Sequence, residues 1–201
     1  MNARKKLVEA ALALAGAAAL TGASVGTASA APSGQLTFHQ QTKAAGLSDA
    51  QASALQAEVN RDLAVMGGTQ VAPNRIDLNG KGTVFVAVPG ETHPRDLSSA
   101  SGIRPAYDPC AGWPDYGHMC AYSGTNHTGS EIDMYSCDVY YIPWYTTGSW
   151  DNNQTRDLTG GRIAAFYWGS RYLSNTGPAR SLDENGNWSV VSRVYNCWGW
   201  G

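Results

Sequence analysis

The sequence predicts a mainly β protein: a C-terminal β-sandwich with two disulfides, preceded by a small helix and β-hairpin. Three observations predict it. All seven Trp, all ten Tyr and all four Cys of the 201 residues stand at or after Tyr107. From there Tyr, Trp, Val and Ile come in short runs split by Gly, Asn, Asp and Pro, the texture of strands and turns. Upstream, a single stretch carries a sustained helical period.

Residues 1–30 are set apart from the fold. Arg4, Lys5 and Lys6 open the chain, Leu7 to Leu20 is mostly Ala and Leu, and Ala28-Ser29-Ala30 supplies small residues before a cleavage point. This is the pattern of a secretory signal peptide cut after Ala30, with Glu9 as an unusual charge in the apolar run. The stretch is short and broken by Gly, unlike a membrane anchor, and no later stretch is long enough to span a bilayer. The expected location is extracellular. Loss of Arg4, Lys5, Lys6 and Glu9 moves the formal charge from -2 to -4. Without a basic excess, nucleic acid is not an expected partner.

Residues 31–90 form the helix–hairpin module. Ser48 with Gln51 has the capping-box spacing, and Asp49 favours the first turn. Ala52, Leu55, Val59, Leu63 and Met66 follow at steps of three and four, and Gly67-Gly68 ends the helix. Ile76 and Leu78 alternate with polar residues, Asn79 to Gly82 turns the chain, and Thr83 to Val88 is β-rich. So short a piece without a disulfide makes a marginal core. It is expected either to pack on the second half or to serve as a removable pro-region. Residues 91–107, rich in Pro, Ser and Gly, read as a linker to a domain at 108–201.

Cys110, Cys120, Cys137 and Cys197 are even in number and lack the close pairing of a metal site, so two disulfides are expected. Three connectivities are open. Cys110–Cys120 with Cys137–Cys197 is favoured, joining one local pair and tying the end of the domain to its middle. Closed loops of these lengths are worth about 3 and about 4 kcal/mol on the chain-entropy model.

No catalytic constellation stands out, and no enzyme is expected. Gly22-Ala23-Ser24-Val25-Gly26 matches a nucleophile elbow but lies in the signal peptide, without the required strand–turn–helix setting. None of His39, His93, His118 and His127 has zinc-protease spacing. His118 near Asp115 and Cys120 could form a Cys–His pair only if Cys120 were free; otherwise it reads as a polar loop residue. Glu131 and Asp133 share one side of a strand, which reads as solvated surface rather than a facing carboxylate pair.

The segment Cys120-Ala121-Tyr122-Ser123-Gly124-Thr125-Asn126-His127-Thr128-Gly129 places an aromatic seven residues before a Gly. It resembles the βγ-crystallin signature, in which the aromatic packs over a folded hairpin and the Gly takes a conformation closed to other residues. Asp151-Asn152-Asn153-Gln154-Thr155 resembles that fold's acidic/amide–Thr loop, and Asn187 to Ser192 a worn second copy. With Gly148 to Thr155, the C-terminal half is similar to the secreted bacterial peptidase-inhibitor family with a βγ-crystallin-like fold, of the metalloproteinase-inhibitor type. That resemblance implies a non-enzymatic inhibitor whose partner is a secreted protease. The family's reactive disulfide loop has no close Cys pair at the matching place, so no reactive-site residue is carried over. The resemblance also implies calcium at Asp151, Asn152 and Thr155, the oxygen donors a hard cation takes. The alternative there is a turn capped by its own side chains, with no cofactor.

The loop between Cys110 and Cys120, with Trp113, Pro114, Asp115 and Tyr116, is the candidate contact surface of a monomer. A rigid loop binds without paying to become ordered. The alternative function is a cell-wall or carbohydrate-binding module, in which the Trp residues form a stacking strip and Trp198 and Trp200 flank a glycine-rich tail, although most Trp are expected in the core. A small secreted toxin is a variant of either.

Overall fold

A computed structural model describes residues 37–98, 107–158 and 160–200. The signal peptide and residues 99–106 of the linker lie outside the described residues.

Two helices lead. The short α1 (Phe38–Ala44) was not expected, yet Thr37 and Gln40 cap it reciprocally, as Ser48 and Gln51 cap α2 (Asp49–Met66). Gly67, with φ 72°, ends α2. A meander follows: β1 (Thr69–Ala72), β2 (Arg75–Asp77) and β3 (Gly82–Phe85). The remaining strands are β4 (His118–Tyr122), β5 (Glu131–Met134), β6 (Val139–Tyr141), β7 (Thr147–Asn153), β8 (Arg156–Asp157), β9 (Gly160–Trp168), β10 (Arg171–Asn175), β11 (Ser181–Asn187) and β12 (Arg193–Trp200). Among the described residues no helix is long and apolar enough to cross a membrane.

The strands make two antiparallel sheets. Seven run in the order β1-β2-β3-β5-β4-β7-β11, and a second sheet is ordered β10-β9-β12-β6, with β8 on β9. One apolar core joins them. Leu55 and Val59 of α2, Ile76, Val84, Ile132 and Met134 of the first sheet, and Phe166 and Val194 of the second are all buried in it. Trp150 and Trp188 complete it, Trp188 donating its ring N–H to the Tyr122 carbonyl at 2.8 Å. Gly148 lies where any Cβ would overlap that indole and that carbonyl, so only glycine lets the ring in.

The change of composition near residue 106 does not divide the fold. Val84 and Phe85 of β3 pair with Ile132 and Glu131 of β5, so one sheet passes through both halves. Residues 35–201 accordingly cluster as one compact unit. Of the expected linker, Leu97 and Ser98 are buried, and the Arg95 carbonyl accepts from Asn74 Nδ2 at 2.9 Å. The physical reason is area: a hairpin and one helical stripe bury enough only against a larger sheet. Trp residues depart from expectation too. Trp150 and Trp188 are core, whereas Trp113, Trp168 and Trp198 are about half exposed.

Both disulfides form as favoured: Cys110–Cys120 with Cα atoms 5.8 Å apart, and Cys137–Cys197 at 5.0 Å.

A chain beginning at residue 107 would leave β5 an open edge and uncover Ile132 and Met134. We expect that fragment, oxidised, to lose cooperative thermal unfolding by circular dichroism. A sharp melt from it would show that the N-terminal part is dispensable.

Candidate functional site

The site is the outer face of the seven-stranded sheet, where β4, β5 and β7 meet. Strand alternation sends Met119, Ala121, Ile132, Met134 and Trp150 into the core. It sends His118, Cys120, Tyr122, Glu131, Asp133, Ser149, Asp151 and Asn153 to the other side, and the register sets Cys120 beside both Asp133 and Asp151. This second face is polar, yet Glu131, Asp133 and Asp151 are 2%, 5% and 0% exposed. The expected solvated acids are therefore buried. The 107–117 segment, closed by the Cys110–Cys120 bond, roofs them.

The roof is tied down at many points. Tyr122 Oη donates to the Cys110 carbonyl at 2.9 Å, and Asn153 Nδ2 to the Pro114 carbonyl at 2.8 Å. The Gly117 amide donates to Asn153 at 2.8 Å, and the Asp115 amide to Pro109 at 2.9 Å. The Arg180 guanidinium lies 3.4 Å from the centre of the Trp113 ring, a cation–π contact, and 3.6 Å from Asp151 Oδ2. To solvent the 107–117 segment offers three large rings, Tyr107 at 73%, Trp113 at 50% and Tyr116 at 59% exposed.

Under the loop the carboxylates behave differently. Burial, then a hydrogen bond and charge from Asp108, raises the Glu131 carboxyl to about 10, so it holds its proton at neutral pH. Burial also raises Asp151, against the pull of Arg180 and His127. Asp133 shares a 2.6 Å hydrogen bond with His118 Nδ1, and the His118 ring packs 4.8 Å from Tyr135. His118 is thus a strand residue partnered by Asp133, not the expected loop residue beside Asp115. The Tyr122 phenol is pushed above its ordinary value by burial and by surrounding carboxylates.

Of the predicted contact residues, Trp113, Asp115 and Tyr116 are exposed, but Pro114 is buried, its carbonyl pinned by Asn153. The proposed calcium donors do not converge. Asp151 and Asn152 are neighbours on β7 and point to opposite faces. Asn152 Nδ2 donates to Arg162 and Thr176 and its Oδ1 accepts from Gln154, while Thr155 is exposed. A capped, fully bonded amide occupies the place of a ligand. Cys110, Cys120 and Asp133 bring donor atoms within 4.8 Å of one another, but the disulfide leaves no thiolate for a metal.

Sequence reasoning missed Arg180, His127, Asp108 and Asn153. Asn153 was legible in part, since it lies two residues from Asp151 and so shares its face. Arg180 reaches the site from outside the strands, and no local pattern announces that.

In the unfolded chain Glu131 ionises near 4.5, whereas the fold keeps its proton to about 10. The contribution is intact below the lower value and is lost as pH rises through the upper, at most about 1.4 kcal/mol per pH unit. Stability should therefore fall between about pH 4.5 and about pH 10, and Glu131→Gln should flatten that slope in denaturant titrations. An unchanged slope in the variant would place the titrating group elsewhere. Comparison of the chain with protein-family models, curated proteins and solved structures finds no match.

Proposed function

We propose that the protein is exported and acts without catalysis, as an inhibitor of a secreted peptidase of the metalloprotease class, through its 110–120 loop. One observation carries this reading. The loop is closed by a disulfide and fixed to the sheet through Cys110, Pro114 and Gly117, yet it leaves Trp113 and Tyr116 half exposed or more. A surface already ordered before contact avoids the entropy cost that weakens flexible binders. Trp and Tyr are the side chains most often found as binding anchors. The two disulfides suit an oxidising compartment.

Support for the βγ-crystallin-like resemblance is local. Gly129 has φ 83°, and an added Cβ there would overlap Ser123 Oγ. The Tyr122 ring packs 4.9 Å from His127, inside the folded 123–130 turn. Both features match what the resemblance implies for this motif.

The test is titration of secreted metallo- and serine peptidases with the purified chain. Stoichiometric slowing of a metallopeptidase is expected, and Trp113→Ala should weaken it at least about tenfold, as for loss of one aromatic anchor. Unchanged hydrolysis across the panel would remove the reading.

A second reading, glycan binding, is favoured by the outer face of the five-stranded sheet. Tyr167 meets Tyr172 at 5.6 Å and Tyr195 at 4.7 Å, Trp198 stacks on Tyr172 at 5.6 Å, and the Arg193 guanidinium lies 5.2 Å from the Tyr195 ring. Asn175 Nδ2 donates to Tyr172 Oη at 2.9 Å, adding polar heads beside the rings. Rings with polar edges suit the apolar faces and hydroxyls of sugars. Retention on insoluble cell-wall polysaccharide, reduced about tenfold by Tyr172→Ala with Trp198→Ala, is the expected result. Retention unaffected by the double variant would rule out this face.

A further inference from the structure

A groove of about 680 Å³ runs between α2 and the coil segments around Val88 and Trp144. Its walls include Val65, Val88, Pro143, Trp144 and Tyr145, and Asp62 lines it from the helix. The position of Asp62 is anomalous. It follows Leu55 by seven and Val59 by three, so it lies on the apolar stripe that turns α2 toward the sheet. It is 3% exposed. A buried carboxylate normally keeps a partner, because an unpaired charge out of water is costly.

Asp62 has none among the described residues. The neighbouring acids are already matched: Glu58 pairs with Arg61, and Glu91 with Arg95 at 3.0 Å. Arg61, paired with Glu58, acts on Asp62 only through its charge, which does not offset burial, and the carboxyl is raised to about 6. Near neutral pH the groove therefore holds a carboxylate with no ion-pair partner of its own, since Arg61, which also lines the groove, is paired with Glu58; Trp144 and Tyr145 line the same groove.

We propose that this groove is a binding site for a polypeptide segment bearing a lysine or arginine side chain, whose cationic head pairs with Asp62. The charge is complementary, and Trp144 and Tyr145 supply rings of the kind that attract ammonium and guanidinium groups. One basic side chain fills only part of the volume. Proline and aromatic walls formed from coil suit the extended backbone on either side of it. The site is separate from the 110–120 loop, and binding here does not depend on inhibition there.

The test uses the full exported chain at about pH 8, well above the Asp62 titration, with tryptophan fluorescence and methyl resonances of Val65 and Val88 as readouts. Probes are short peptides with a central lysine or arginine, the same peptides with norleucine or citrulline, and butylammonium alone. The basic peptides should bind at least about tenfold more tightly than the neutral ones, and Asp62→Asn should erase that difference. The variant removes a buried charge and should melt no lower than the parent, so loss of binding would not reflect unfolding. Equal binding of basic and neutral peptides, or of parent and variant, would overturn the site. Butylammonium binding as tightly as the peptides would overturn its assignment to a polypeptide.

Discussion

Strands β4, β5 and β7 are buried on both faces, and one of those faces is polar. That constraint organises the molecule. An antiparallel sheet with one wet side would have let Glu131, Asp133 and Asp151 meet solvent. Here the apolar side faces the shared core while the polar side lies under a stapled loop. Buried polar groups must be bonded or neutral. Protonated Glu131 and the His118–Asp133 pair meet that demand by different routes, whereas Asp151, with no hydrogen-bond partner on either oxygen, has only the Arg180 charge 3.6 Å away.

The same requirement ties the loop to function. Asn153 both pairs with His118 at the end of β7 and pins Pro114, and Tyr122 both fills space under the roof and bonds Cys110. A shift of the loop would uncover carboxylates that it shelters together with Arg180. Its outward rings therefore inherit the rigidity of the sheet below, which is the property a preformed binding surface needs.

Much of the fold was legible because its signals are local. Ser48 and Gln51 mark the start of α2, Gly67 marks its end, and the concentration of Tyr, Trp and Cys after residue 106 marks the strands. The same spacing in Thr37 and Gln40 marks α1, though that helix went unnoticed. The pairing of β3 with β5 was not legible, since it joins residues nearly fifty apart and leaves no local trace. Alternation correctly placed Glu131 and Asp133 on one side of a strand. It could not say which face would be covered, because the cover arrives from the 107–117 segment and from Arg180. Asp62 was open to notice, a carboxylate at a core position of an otherwise regular stripe.

Native-state hydrogen exchange at the Asp115 and Gly117 amides tests the central claim most directly. The Asp115 amide donates across the loop to the Pro109 carbonyl at 2.9 Å, and the Gly117 amide fastens the loop to the Asn153 carbonyl of β7 at 2.8 Å. They should exchange as slowly as amides of β4 and β7, opening only when the sheet does. Exchange at the rate of a free loop, with the strand amides still protected, would contradict a preformed surface.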